Sequence, residues 1–327
     1  MTTTLGPTDE QVSTMRQKIM TQITADKPII STRAVSHMTG RRRIAFAAVG
    51  VAAAAALVVG SVLIPSGVDS SAEAATVLND AAALTITTSD IVAGPGQYLK
   101  IETIASYQIV GENSDGDKVS WLAPETSTVY KPGDPDAEWV MERRQLIPTE
   151  FFGDGAEEAA MESWEFTQSD PFTNGIFRAK DAAFYGTPDP ARSTDALPLD
   201  PTELYEYIRA QYNGGSNNPN EDAWVRITAL LRTGTAPADL RSALYSAAAM
   251  VPGIEVVPGK TILNGRSGIA IGRDEPSRNE RQDIIVDEAT GQLIGERIVR
   301  TERGDGAPAG TAWSSTSVST TVVGSAP

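Results

Sequence analysis

A run of 21 uncharged residues, Ile44 to Ile64 (IAFAAVGVAAAAALVVGSVLI), constrains this chain more than any other feature. At about 1.5 Å of rise per residue a helix of that length spans roughly 30 Å, the thickness of a bilayer's hydrocarbon core. Arg41, Arg42 and Arg43 abut its start, and Pro65, Ser66 and Gly67 close it. A cleavable signal peptide has a short charged head and an apolar region of about 7–15 residues. Here 43 residues come first and the apolar run is longer. Ala72-Glu73-Ala74 resembles a cleavage site but lies well beyond Ile64, and the absence of cysteine excludes lipoprotein processing. Gly50 and Gly60 weaken a water-soluble helix yet are common within membranes. The expectation is a transmembrane helix over 44–64, with the lipid bilayer as its first partner.

Charge orients that helix. Segment 1–43 carries seven basic residues against three acids; with −15 for the whole chain, the remainder carries −19. Basic residues beside a membrane stay in the cytoplasm. The N-terminus is therefore expected inside and the large acidic part outside. A domain that acidic is a poor match for nucleic acid, whose phosphates need Lys and Arg. All five Trp and all eight Tyr lie beyond residue 64, which indicates a packed domain rather than a disordered stalk.

In order, 1–43 reads as a cytoplasmic segment with a short amphipathic helix, where Thr8 and Gln11 suggest a capping box before Val12, Met15, Ile19 and Ile23. Residues 65–72 read as a linker and 73–327 as the extracytoplasmic domain. Ala74, Val77, Leu78, Ala81 and Leu84 form a helical stripe. Tyr98–Val110 alternates as a half-buried strand, with Leu99, Ile101, Thr103, Ala105, Tyr107 and Ile109 on one side. Asn113–Asp117 is turn chemistry, followed by expected strands at Lys118–Ala123, Thr126–Lys131, Glu138–Ile147 and Glu162–Gln168. Trp121, Trp139 and Trp164 would then share one apolar face, and 148–200 would be mostly loop.

Three helices follow: one begun by Asp200-Pro201-Thr202-Glu203, one over Glu221–Thr233, and one starting at Pro237. Strands return at Ile254–Val257, Lys260–Leu263, Gly268–Gly272, Asp283–Asp287 and Gln292–Thr301, and Ala312–Val323 could add an edge strand. Strands, then helices, then strands imply an α+β class with antiparallel sheet and a three-helix insert.

The chemistry of catalysis is sparse. The single His, His37, lies in the Ser/Thr-rich stretch before the anchor, so beyond residue 64 no Ser-His-Asp triad or His-ligated zinc can form. No Ser-x-x-Lys pair and no phosphate-cradling glycine loop occurs. Asn113, Asp115 and Asp117 have calcium-loop spacing, but Lys118 and Pro124 stand where glycine and a bidentate glutamate belong, which favours a plain hairpin tip. Arg143-Arg144 reads as one half of a cross-strand ion pair. No enzyme activity, catalytic residue, metal or cofactor is expected; the residues singled out are those of the anchor, Arg41, Arg42, Arg43, Ile44 and Ile64.

Leu197–Leu204, Ala243–Val256, Asn264–Gly268, Ile285–Leu293 and Gly96–Leu99 together resemble an actinobacterial family of single-pass membrane proteins. Its members are generally of unknown function and often encoded beside extracytoplasmic-function sigma factors. The resemblance implies a sensing or interaction protein, an accessory of sigma-factor signalling, with a protein partner for the cytoplasmic segment or the external domain. A looser architectural analogy is to the half-barrel of lipoprotein carriers and the periplasmic sigma-E regulator, in which a curled sheet offers an apolar groove. It implies an alternative, an extracytoplasmic lipid or lipoprotein binding module with an apolar ligand. Paired carboxylates acting as a surface hydrolase form the second alternative. Fractionation should leave the intact chain with the membranes, and protease added to intact cells should digest residues 73–327 while sparing 1–43. Recovery from the soluble fraction would overturn the topology.

Overall fold

The structure, a computed structural model, describes residues 70–87, 90–187, 194 and 196–327. The helix expected within 1–43 and the anchor at 44–64 lie outside the described residues, as do Arg41, Arg42, Arg43, Ile44 and Ile64. Among the described residues no helix is long and apolar enough to cross a membrane.

The first element, α1, spans Ser70–Thr87 and so begins inside the stretch expected as linker. Ala74, Leu78, Ala81 and Ala82 are buried at helical spacing, and these mostly small side chains let α1 lie close on its neighbours. Two long strands follow, β1 (Tyr98–Glu112) and β2 (Lys118–Pro132). Their hairpin tip forms because Asn113 Oδ1 accepts from the N–H groups of Asp115 and Asp117 at 3.0 and 2.8 Å. The alternation expected of β1 holds through Ala105, but Tyr107 and Ile109 are 37% and 39% exposed, beside Ala123 and Trp121 of β2.

The strands expected separately at Lys118–Ala123 and Thr126–Lys131 are one. Pro124, which suggests a break, sits where β2 changes partner on one edge. There β3 (Trp139–Gln145) pairs with 125–130 and β4 (Glu150–Phe152) with 120–122. The Pro124 carbonyl accepts from Leu146 N–H on that edge at 2.8 Å, and the missing proline N–H falls in the gap.

Glu162–Gln168 is not a strand. It belongs to α2, Ala156–Thr167, whose run of Ala, Glu and Met favours helix and whose Ala156 and Ala160 bury one turn apart on β2. Trp121 and Trp139 do share a face of the sheet by register, the first beneath α2 and the second against the main core, but Trp164 lies on α2 itself. With β4, α2 and β5 (Gly175–Ala179), the stretch expected as loop is substantially ordered.

The three expected helices are present as α3 (Pro201–Ala210), α4 (Pro219–Arg232) and α5 (Ala238–Ala248). Asp200 caps α3 and Asn218 caps α4, each accepting two backbone N–H bonds, with proline in the first turn. Leu204, Ile208, Trp224, Ile227, Leu231, Leu240 and Leu244 point into one core with Ile101, Val129, Ile254, Ile271, Ile284 and Val318 of the sheet. Each such buried side chain contributes about 1.5–3 kcal/mol by leaving water.

The remaining strands are β6 (Ile254–Leu263), β7 (Arg266–Glu275), β8 (Glu280–Val286), β9 (Leu293–Arg300) and β10 (Ala312–Val323). The two short strands expected within 254–263 are one, bulged between Val256 and Lys260 at Pro258-Gly259. All pairings are antiparallel, and a single sheet runs β5-β3-β2-β1-β10-β9-β8-β7-β6, with β4 beside β2. The α+β class holds. The largest departure is β10, expected at an edge and found at the centre, between β1 and β9. Its Ser/Thr/Val pattern favours extended structure but does not name its partners.

At the start of α4 a buried ionic group ties the helices to the β7–β8 turn. Glu221, 2% exposed, pairs with Arg278 and accepts from Asn217 N–H, and Arg278 also reaches Glu280 at 3.3 Å. Burial raises the Glu280 pKa despite the opposing pull of Arg278 and Arg300. A carboxyl raised on folding costs stability when ionised, a cost that disappears as pH falls through the elevated value. Glu280→Gln should therefore raise Tm by a few degrees at pH 7 and lose that advantage in acid. An unchanged difference between pH 7 and pH 4 would contradict this account.

Candidate ligand cleft

The cleft follows from unequal strand lengths. The ladder between β10 and β9 ends at Ser317–Gly295, whereas β10 continues to Val323 paired only with β1. Beyond Ser317 the sheet therefore has a notch on that edge. The Val318 carbonyl, left without a ladder partner there, accepts from Arg266 Nη1 at 3.0 Å. Over the notch lie the end of α4, the turn to α5 and the segment between α1 and β1. Together they enclose about 580 Å³, within the roughly 300–1,000 Å³ usual for small-molecule sites.

Its floor is apolar, formed by Leu99, Leu231, Leu293 and Val318. The α4–α5 turn approaches the sheet at Gly234, whose φ is +67°. A Cβ there would come within 2.9 Å of Ile101 and 3.0 Å of Thr320 Oγ1. Both the backbone angle and the close approach require glycine.

The rim is charged. Lys131, Arg241 and Arg266 line the cleft against one acid, Asp90, in a domain that is otherwise strongly acidic. Lys131 lies over the Trp139 ring, 5.5 Å from its centroid. Arg241 pairs with Asp90 at 3.0 Å. Among the described residues, neither Lys131 nor Arg266 forms an ion pair with a carboxylate. An apolar floor with a cationic rim suits a molecule having an apolar body and a negative group.

The positions read from sequence fall elsewhere. Asn113, Asp115 and Asp117 form the hairpin tip, with the Asn113 side-chain oxygen engaged by the turn's own N–H groups. Arg143 pairs with Glu125 across to β2 at 2.9 Å and donates to the Tyr185 hydroxyl, so its guanidinium is held locally. Lys131, Arg241, Arg266 and Asp90 come from four separate segments. No local motif marks them.

No family model matches the chain, and no curated protein matches it. Among solved structures, the complex of MucA and MucB from Pseudomonas aeruginosa is similar at 10% identity over 78% of this chain, with a TM-score of 0.23. The match covers 58% of that chain, so this protein corresponds to less than two thirds of it. So low a score carries no statement about shared activity.

Gly234→Ala should destabilise the domain by about 1–3 kcal/mol, because the new Cβ meets both strain and a close neighbour. Denaturant unfolding measures this. A change within about 0.3 kcal/mol would show that the turn does not press on the sheet.

Proposed function

We propose that this protein is a membrane-tethered extracytoplasmic binding domain that senses an amphipathic ligand in the cleft between its helices and sheet. The carrying observation is the cleft itself, an apolar floor of about 580 Å³ with a cationic rim in a strongly acidic domain. The tether is the apolar run 44–64 with Arg41, Arg42 and Arg43 on its cytoplasmic side. Six residues after Ile64 the chain enters α1, and three residues after α1 ends it reaches Asp90 on the cleft rim. Occupancy of the cleft therefore bears on the helix next to the tether. Through the tether it would reach segment 1–43, where a regulator such as a sigma-factor partner would read it. The protein acts by binding rather than catalysis on this reading. Among the described residues Asp90 is the only carboxylate lining the cleft, so the paired acids of a glycoside hydrolase are not assembled from them there.

The test uses the full chain in lipid nanodiscs, with empty nanodiscs as reference. Dansyl-undecanoic acid should bind saturably to the protein, and Thr320→Trp, which fills the cleft from β10, should reduce affinity at least tenfold. Binding equal to that of empty nanodiscs removes the proposal. Residues 1–43 used as bait should recover a transcriptional regulator, and recovery of none removes the signalling half.

A further inference from the structure

Asp90, the single acid of the cleft among the described residues, is also the point from which a strap hangs. Residues 90–97 run along the cleft between Asp90 and the start of β1. At one end Asp90 makes two contacts: Oδ1 lies 3.0 Å from Arg241 Nη1, and Oδ2 accepts from Ala238 N–H at 2.9 Å. The second contact fills a local need, because Pro237 at the start of α5 provides no capping side chain. Arg241 also donates to Thr85 Oγ1 in the last turn of α1 at 3.0 Å, and to the Ala236 carbonyl at 2.6 Å. One guanidinium thus joins α1, the strap and the α4–α5 turn.

At the other end, Gly133 N–H donates to the Gln97 carbonyl at 2.9 Å. The packing there leaves no room for a side chain, since a Cβ on Gly133 would lie 2.2 Å from the Gly94 carbonyl oxygen. Between these ends Ile91 and Val92 are 51% and 76% exposed, apolar side chains at the cleft that nothing covers. The strap is held by polar contacts at its ends and by Ala93, partly buried against the core, while Ile91 and Val92 stay exposed.

We infer that Asp90 is an internal competitor for the ligand. Its carboxylate occupies the place on Arg241 that the anionic head of a single-chain amphiphile takes, and its displacement frees the strap beside α1. This rests on the cleft being a ligand site, as proposed above. Charge complementarity selects the occupant: with Asp90 in place the described lining residues sum to +2, and without it to +3, in a chain whose net charge is −15. The apolar chain would lie over Leu99, Leu231, Leu293 and Val318 and meet Ile91 and Val92. A ligand shifts the strap only through its preference for the released state, and that preference is the Arg241 contact that Asp90 otherwise holds.

The full chain in nanodiscs is titrated with anionic dansyl-undecanoic acid and with the uncharged probe N-phenyl-naphthylamine. Asp90→Asn keeps an oxygen for Ala238 N–H while removing the negative charge that faces Arg241. It should bind the anionic probe about three- to tenfold more tightly than wild type and the neutral probe equally. Protease cleavage within 90–97 should accelerate in Asp90→Asn, and in wild type when the anionic probe is added. Arg241→Gln should lose affinity for the anionic probe alone, which keeps the inference testable if Asp90→Asn does not fold. An unchanged anionic affinity in Asp90→Asn, or an equal gain for both probes, overturns the competitor role while leaving the cleft reading intact. Absence of binding to wild type and variants alike removes both.

Discussion

The fold depends on one pairing, that of β1 with β10. Ten residue pairs, from Tyr98–Val323 to Tyr107–Ser314, join the first strand of the domain to the last across more than two hundred residues. Strands β5, β3 and β2 lie on one side of that seam and β9 to β6 on the other, and no other strand pair connects them. Each ladder hydrogen bond is worth only about 0.5–1.5 kcal/mol net, but the seam is what turns two sheets into one. Closing so long a loop costs entropy before any contact forms, so the seam must be supported by burial. The helices supply it: Ile101 of β1 and Val318 of β10 both lie in the core formed with α3, α4 and α5.

The same seam creates the cleft. Because β10 is longer than its partner β9, the sheet is complete on one edge of β10 and interrupted on the other, and the helical layer bridges the interruption instead of filling it. Gly234 sets how closely the bridge can approach, and Gly133 does the same for the strap. The polar contacts at the rim compensate for what the strands leave open. Arg266 takes the unladdered Val318 carbonyl, and Asp90 supplies the cap that Pro237 lacks. Binding capacity and structural incompleteness are thus the same feature seen from two sides.

How legible this was depended on the range of the interactions. Asp200, Asn218 and the prolines after them marked helix starts because a cap is satisfied within three residues. The Asn113 turn was equally local. Errors gathered where a neighbour overrules propensity. Pro124 looks like a break but falls between two partner strands, Tyr107 and Ile109 alternate like core residues but stay partly exposed, and Glu162–Gln168 reads as a strand although its helix begins at Ala156. The cleft was illegible for the same reason, since Asp90, Lys131, Arg241 and Arg266 are adjacent only after the sheet has closed.

From its own residues the sequence determined the α+β class, the block of three helices between two runs of strands, the sign of the domain's charge and the absence of histidine and cysteine chemistry beyond residue 64. These follow from composition and from periodicities that repeat within a few residues. Only the tertiary structure decided that β10 lies at the centre, that the sheet is notched beside Val318, and that three cations and one acid face a common apolar floor. Partner choice between strands is set by burial and register across the whole domain, and no short stretch of chain carries that information.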